Sequence, residues 1–446
     1  MFPNLFPVAA PVQFLALLPL LYLLIMRGAS SREMVDAGIY MAIAFALPQA
    51  LLLRLDHITA GLLLLTFTIT LPLLTYATSK LCKGAVVSSA LAFGALLVLI
   101  DWLGFAVVPI WGTAQSLGRS WSSYPTLIGF TSVTGITGIS FLVGSLQMLF
   151  VAFIQHPKDR GRIGIALLTL LLLFGAASGV VWLEKPEGSL KVATLGWKRP
   201  RSAEDLSVQT TQGFEELYAR PGRLAAGEGA RLLVSPELGF YIGQAERQEW
   251  LDRFGAVAKS NNLFLAIGYY NERENENRLL FMDPKGEVLS EYVKTHLIPY
   301  EPFDRGDGER VVFSIDGIPV GGMICQDDNF TDLSRGYGQD AVPILAIPTA
   351  DWDSIRFAHF QSTIHRAIES RFAIVRGATD GISAIVSPKG KILASRDQTA
   401  KGPGYLVAEV PIYRHRTLFS TLGHWPIPLS LVYLGAMTLV RRRRER

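Results

Sequence analysis

Leu232-Leu233-Val234-Ser235-Pro236-Glu237 is a short apolar run that a proline stops at a carboxylate, the pattern of a buried strand running into a polar loop. Two later stretches repeat the form with different chemistry. Tyr292-Val293-Lys294 ends on an amine, and Gly322-Met323-Ile324-Cys325 ends on a thiol. Functional groups of open α/β sheets collect in the loops after strands, so residues far apart in sequence can converge there. The pattern predicts a layered α/β domain that brings Glu237, Lys294 and Cys325 together.

Residues 190–196, 231–235, 263–269, 278–282, 288–293, 320–325 and 342–347 are short apolar runs with β-branched or aromatic residues, and read as strands. Asp283-Pro284-Lys285-Gly286 and Ser387-Pro388-Lys389-Gly390 are tight turns that join strands as hairpins. Residues 245–260 and 355–372 have helical periodicity. Helix-linked strands mixed with hairpins predict α/β layers with a partly antiparallel sheet. Residues 188–414 have the composition of a soluble domain and enough length to bury a core of their own. They hold no Gly-rich phosphate loop, metal-ligand cluster or EF-hand loop, so neither cofactor nor metal is expected.

Outside this stretch the chain is apolar. Of its 446 residues 50% are hydrophobic, and the mean hydropathy of +0.30 is too high for an ordinary soluble enzyme. Runs near residues 8–26, 34–53, 58–78, 85–107, 127–154 and 163–183 are each long enough to cross about 30 Å of hydrocarbon, and a shorter run covers 425–440. The expected organisation is a transmembrane helical bundle at 1–187, the α/β domain at 188–414, and a C-terminal transmembrane helix with a basic tail at 415–446. The first run lacks the basic residues that precede a signal peptide's apolar core, and further spans follow it.

Arg27 and Arg32, Lys80 and Lys83, then Lys158, Arg160 and Arg162, and finally Arg441-Arg442-Arg443-Arg444 follow every second span and so all fall on one side. The other loops offer Arg54, offset by Asp56, and Arg119. The positive-inside rule therefore predicts an extracytoplasmic α/β domain and a cytoplasmic C-terminus. Much of the net charge of +4 sits in the terminal arginines beside an apolar run, so it points to anionic lipid rather than nucleic acid. Asp101 and Gln115 read as part of an interfacial turn, and Cys82 and Cys325 are too differently placed to be expected as a disulfide.

A carboxylate, an amine and a thiol are the parts of a Cys-dependent acyl transfer. A free thiol is mostly protonated at neutral pH and needs a base, for which Glu237 serves. Lys294 can pair with that carboxylate and then stabilise the oxyanion of a tetrahedral intermediate on Cys325. Singly, each residue has an ordinary structural reading: a buried thiol is a small hydrophobe, and loop carboxylates and lysines are commonly solvated.

The order Pro236-Glu237, then Tyr292-Val293-Lys294-Thr295-His296-Leu297-Ile298-Pro299-Tyr300, then Gly321-Gly322-Met323-Ile324-Cys325 resembles the nitrilase (carbon–nitrogen hydrolase) superfamily. His359, Arg366, Glu369, Arg376, Gly381 and Ser383, and the Gly390-Lys391-Ile392 hairpin, extend the likeness. The resemblance implies an αββα sandwich with a Glu237-Lys294-Cys325 triad. With spans on both sides, and with Gly135–Leu142 and Leu422-Gly423-His424-Trp425-Pro426, the whole chain is similar to bacterial apolipoprotein N-acyltransferases. That family moves an acyl chain from a phospholipid donor, through a cysteine thioester, to the amine of a diacylglyceryl-cysteine on a lipoprotein acceptor in the inner membrane.

The chain departs from the pattern in three places. Gln326-Asp327-Asp328 stands where the family has Tyr-Glu after the nucleophile, and Thr349-Ala350-Asp351-Trp352 replaces an Asn-Asp loop. The supporting glutamate falls to Glu301, one position closer to the lysine than usual. Two other readings stay open: a membrane-anchored amidase that releases its thioester to water, and a non-catalytic scaffold on the nitrilase frame.

Overall fold

A computed structural model describes residues 7–26, 28–82, 84–107, 109–202 and 205–445; Arg27 and Lys83 of the basic-loop pattern lie outside the described residues. The chain separates into two units, Met1–Leu183 with Leu422–Arg446, and Glu184–Thr421.

The first unit is helical. Its long helices are α1 (Ser31–Leu52), α2 (His57–Leu81), α3 (Val86–Val107), α4 (Thr137–Gln155) and α5 (Arg160–Leu183), and Pro426–Glu445 closes it. Ser30 and Glu33 start α1 with a reciprocal capping box, and the Asp56 side chain starts α2 by accepting from the N–H groups of Ile58 and Thr59. Five helices among the described residues are long and apolar enough to cross a membrane. Small residues let them approach: a Cβ added to Gly94 of α3 would lie 2.1 Å from Ser145 Oγ of α4. The outward faces are apolar, with Ile165, Leu168, Leu171, Leu172 and Leu173 of α5 all more than half exposed. A bilayer solvates such a surface and water does not.

Three expectations change here. The run at 8–26 is divided into Pro7–Val12, Gln13–Ala16 and Leu18–Met26, because Pro11 and Pro19 lack the N–H that one continuous helix needs. Within 127–154 the long helix begins only at Thr137, since Gly135 turns the backbone to φ +67° after the short helix Thr131–Thr134. Asp101 sits on α3 rather than in a turn, and it is buried. Its carboxylate accepts from the hydroxyls of Ser116 and Ser140, each at 2.7 Å, and from the Leu117 N–H at 2.9 Å.

The second unit holds β1 (Gly188–Trp197), β2 (Leu232–Val234), β3 (Phe240–Ile242), β4 (Phe264–Asn271), β5 (Glu276–Met282), β6 (Val288–Val293), β7 (Val312–Ile315), β8 (Ile318–Gly322), β9 (Ile344–Ala350), β10 (Ala373–Thr379), β11 (Ile382–Val386), β12 (Ile392–Asp397) and β13 (Gly404–Ile412). Hydrogen bonding runs in the order β6-β5-β4-β2-β1-β10-β9-β8-β7, with β3 on β4, β13 on β1, and β11 then β12 beyond β10. The β1–β2–β4 and β8–β9–β10 ladders are parallel, and β4–β5–β6 is antiparallel around the turn at 283–286. That turn forms because Asp283 Oδ1 accepts from the N–H groups of Lys285 and Glu287 while Gly286 takes φ +80°.

The two halves of this ladder face each other. A Cβ on Gly322, at the end of β8, would lie 2.5 Å from Leu279 and 2.6 Å from Phe281 of β5, so the close approach of the layers requires glycine. Helix α6 (Arg247–Asn261) packs outside one layer, and α7 (Thr331–Gln339) and α8 (Arg356–Ser370) lie on the other side. This is the αββα sandwich. One correction bears on the site: β8 ends at Gly322, and Cys325 opens a tight turn, Cys325–Asn329, rather than ending a strand.

Between α6 and its layer, Phe240 meets Phe254 at a ring-centroid distance of 4.8 Å and Trp250 at 5.3 Å, beside Phe214 and Tyr218. Phe240 is fully buried. Phe240→Ala should remove about 3–5 kcal/mol of stability, read as a lowered thermal midpoint of the full-length protein in detergent.

Candidate active site

Glu237 lies in the loop after β2, Lys294 just past β6, Glu301 in the next loop and Cys325 after β8. Backbone strain falls on Cys325 itself and on the residues next to Glu237 and Glu301. Leu238, Tyr300 and Cys325 have φ of +49°, +76° and +47°, in the left-handed region that side chains other than glycine rarely enter. Each costs about 1–3 kcal/mol, so the surrounding structure must hold them there. The tight turn at Cys325 points its side chain to Ala350, with Sγ 3.8 Å from the Ala350 carbonyl oxygen.

Lys294 joins the carboxylates. Its ammonium donates to Glu237 Oε1 at 2.8 Å and to Glu301 Oε1 at 2.6 Å, and its side chain is only 1% exposed. Glu237 is held on both oxygens: Asn277 Nδ2 donates to Oε1 at 2.7 Å and the Ala350 N–H to Oε2 at 2.7 Å. Glu301 Oε2 accepts from the Ile298 N–H at 3.0 Å. Burial pushes the Lys294 pKa down, but Glu237, the Cys325 sulfur and Glu301 push it further up, and the ammonium stays charged. Burial raises the Glu301 carboxyl, which Lys294 opposes and Glu237 reinforces. Burial likewise drives the Cys325 thiol well above its ordinary value, aided by Glu237 and Asp351 and opposed by Lys294. The resting thiol is therefore protonated and needs a base. A cavity of about 200 Å³ reaches Glu237, with Trp197, Lys198 and Arg199 in its wall.

All four residues singled out in the sequence thus fall in one place, but that reading gave no role to a second charged group behind the thiol. His359 Nδ1 contacts Asp351 Oδ1 at 2.7 Å and Nε2 lies 3.2 Å from Asp328 Oδ1. Arg376 spans the same two aspartates, at 3.0 Å to Asp351 and 3.3 Å to Asp328. Asp328, Asp351 and Arg376 are completely buried and His359 nearly so. Burial alone would raise both aspartates, yet His359 and Arg376 hold them below the usual carboxylate range. Cys325, Asp351 and His359 present ligand atoms within 4.8 Å of one another. Both ring nitrogens of His359 are already engaged by carboxylates and Arg376 balances their charge, so a cation bound here would have to displace existing partners. The readable signal was Arg376 inside the apolar strand Ile374-Val375-Arg376-Gly377, since a charge in a buried strand implies a partner.

A third link ties the lysine loop to the thiol loop. Asp327 accepts from the N–H groups of Ile324 and His296 and from the Tyr292 hydroxyl, at 2.7–2.9 Å, and its Oδ1 meets His296 Nδ1 at 2.9 Å. His296 Nε2 reaches Asp332 at 3.1 Å.

Residues 192–417, just over half of the chain, match the Carbon-nitrogen hydrolase family. The chain belongs to the carbon–nitrogen hydrolase family. It is 26% identical over 318 residues to an apolipoprotein N-acyltransferase of Geobacter metallireducens, covering 62% of this chain and 60% of that protein. A Thermotoga maritima protein of the same name is 24% identical over 356 residues, covering 74% of this chain and 67% of its own length. A deaminated glutathione amidase of Mus musculus is 25% identical over 303 residues, covering 55% of this chain and 92% of the mouse protein. Among solved structures, an amidase from Nesterenkonia sp. is similar at 24% identity and a TM-score of 0.42, covering 50% of this chain and 92% of that one.

The histidines of this carbon–nitrogen hydrolase give its folding a pH signature. Burial lowers the pKa of His296 and of His359, but their aspartates raise both further, to about 9. A folded pKa above the unfolded value gives stability that is complete below about 6.5 and lost as pH rises through about 9. The thermal midpoint of the full-length protein should fall between pH 6.5 and 9.5. Asp332→Asn, which removes one partner of His296, should make that fall smaller, because His296 then loses its charge at lower pH in the folded protein.

Proposed function

We propose that this chain is a membrane N-acyltransferase that moves a fatty acyl chain from a phospholipid to the N-terminal amine of a diacylglyceryl-cysteine on lipoproteins, through a thioester on Cys325. The observation that carries the reading is one chain joining bilayer-length helices to a carbon–nitrogen hydrolase unit in which Glu237, Lys294 and Glu301 are locked together beside a buried thiol. Relatives named apolipoprotein N-acyltransferase support it. The basic loops favour the bacterial inner membrane with the α/β unit on its extracytoplasmic side.

Glu237 takes the Cys325 proton as Sγ attacks the ester carbonyl, and Lys294 stabilises the oxyanion. Collapse breaks the ester C–O bond and Glu237 returns the proton to the departing alkoxide, leaving the acyl thioester and a monoacyl phospholipid. The acceptor amine then attacks the thioester carbonyl and gives its proton to Glu237. Breaking the C–S bond forms the amide, and the thiolate regains that proton. Glu301 keeps Lys294 aligned from the side opposite Glu237.

Purified protein incubated with phosphatidylethanolamine should gain one acyl mass on Cys325, read by peptide mass spectrometry, and lose it when a diacylglyceryl peptide is added. Cys325→Ala should abolish the adduct. Glu237→Gln and Lys294→Met should slow its formation about 10²–10⁴-fold. An adduct discharged only to water would favour the amidase reading, and absence of any adduct would end the thioester mechanism.

A further inference from the structure

The cavity that reaches Glu237 has a charged wall that the acyl chemistry leaves unused. Lys198 and Arg199 follow the end of β1, line this cavity and are exposed. Their backbone is pinned: the Asp380 N–H donates to the Trp197 carbonyl at 3.1 Å, and the Arg199 N–H donates to Asp380 Oδ1 at 3.2 Å. Their side chains are not pinned, since neither is paired with a carboxylate among the described residues. Ser207 lines the same cavity, and its Oγ accepts from the Gln209 N–H at 3.4 Å, which leaves the hydroxyl proton to donate elsewhere. Among the described residues Glu237 is the one acid in the lining, and Lys294 already pairs with it. The cavity therefore offers two cations without partners and a hydroxyl donor.

We propose that this cavity binds the phosphodiester of a glycerophospholipid headgroup, with Lys198 and Arg199 sharing its charge and Ser207 donating to one of its oxygens. An acyl chain is the wrong occupant, because it would take both cations out of water with nothing to pair them. A phosphodiester supplies what the wall lacks. Its negative charge is spread over two free oxygens, which a guanidinium meets with a planar pair of N–H groups and an ammonium meets as a point charge. In such a lipid the phosphate is joined to the glycerol that bears the esters. Anchoring it in a cavity that Glu237 lines leaves the esters a few bonds from the anchored group. That the anchored lipid is the acyl donor rests on the proposed function; the binding of the phosphodiester does not.

The test uses full-length protein in a non-ionic detergent, which brings no phosphate of its own. Its probes are a diether glycerophosphoethanolamine with a diazirine on the headgroup nitrogen, and the same lipid with its phosphate methylated to a neutral triester. Ether-linked chains cannot be transferred, so labelling needs no reaction at Cys325. Labelled peptides are mapped by mass spectrometry, and thermal midpoints confirm that the variant folds. The anionic lipid should label residues 197–209 at about tenfold lower concentration than the triester. Lys198→Gln combined with Arg199→Gln should erase that difference, and added salt should narrow it in the parent. Equal labelling by the two lipids in the parent, or an unchanged difference in the folded double variant, would overturn the proposal. So would displacement of the anionic lipid by inorganic phosphate at about millimolar concentration, which would make this a site for the free anion. The expected labelling, without any acyl adduct on Cys325 from phosphatidylethanolamine, would keep the phosphate site and remove the donor role.

Discussion

One buried ammonium organises the α/β unit. Lys294 is withdrawn from water between Glu237 and Glu301, and an ion so placed persists only with its partners in position. Each partner belongs to a different loop, so the ion group fixes the segments after β2 and β6 together. The Ala350 N–H on Glu237 and the Ala350 carbonyl near Cys325 Sγ add the end of β9 to the same point. Two negative charges and one positive share this small volume, which is why burial and Glu237 together lift the Glu301 carboxyl. Glu237 acts on the thiol electrostatically, whereas Glu301 ties the lysine to the Ile298 N–H.

Behind the thiol, a second group of opposite composition keeps the interior near neutrality. Asp328 and Asp351 face His359 and Arg376 with no exposed member. Such a cluster gains little net stability over apolar packing, but losing one member leaves a buried charge without a partner. Its effect is positional: Asp328 belongs to the turn that begins at Cys325, and Asp351 follows Ala350 directly. The strained φ of Cys325 is held from both sides, by the lysine group ahead of it and by this group behind.

Much of this was readable from residue order. The strand runs at 231–235, 263–269 and 288–293 and both proline-glycine turns correspond to β2, β4, β6 and the two hairpins, because alternation and turn chemistry are local properties. The helices expected at 245–260 and 355–372 fall at Arg247–Asn261 and Arg356–Ser370. What failed to show was whatever depended on distant partners. Cys325 looked like the end of a strand because Met323 and Ile324 are apolar, whereas the strand stops where β9 ceases to pair with β8 at Gly322. Asn277 gave no signal, since a polar residue in a hairpin reads as solvent-facing until Glu237 is seen against it. The first apolar run had the length of a span, but hydropathy does not register prolines that divide a helix.

The departures in sequence take on a different weight once their contacts are known. Gln326-Asp327-Asp328 departs from the residues the family has after the cysteine. Yet Asp327 gathers Ile324, His296 and Tyr292 onto one carboxylate, and Asp328 binds the Thr363 hydroxyl at 2.6 Å as well as Arg376. Both are completely buried. A chain losing this site would leave such carboxylates unpaired, at a cost of several kcal/mol each. Here Asp327 accepts from the thiol loop itself, through the Ile324 N–H, and Asp328 is paired with His359 and Arg376. Asp327 ties the His296 loop to the Cys325 turn, and within that frame Lys294 and the thiol act on each other electrostatically.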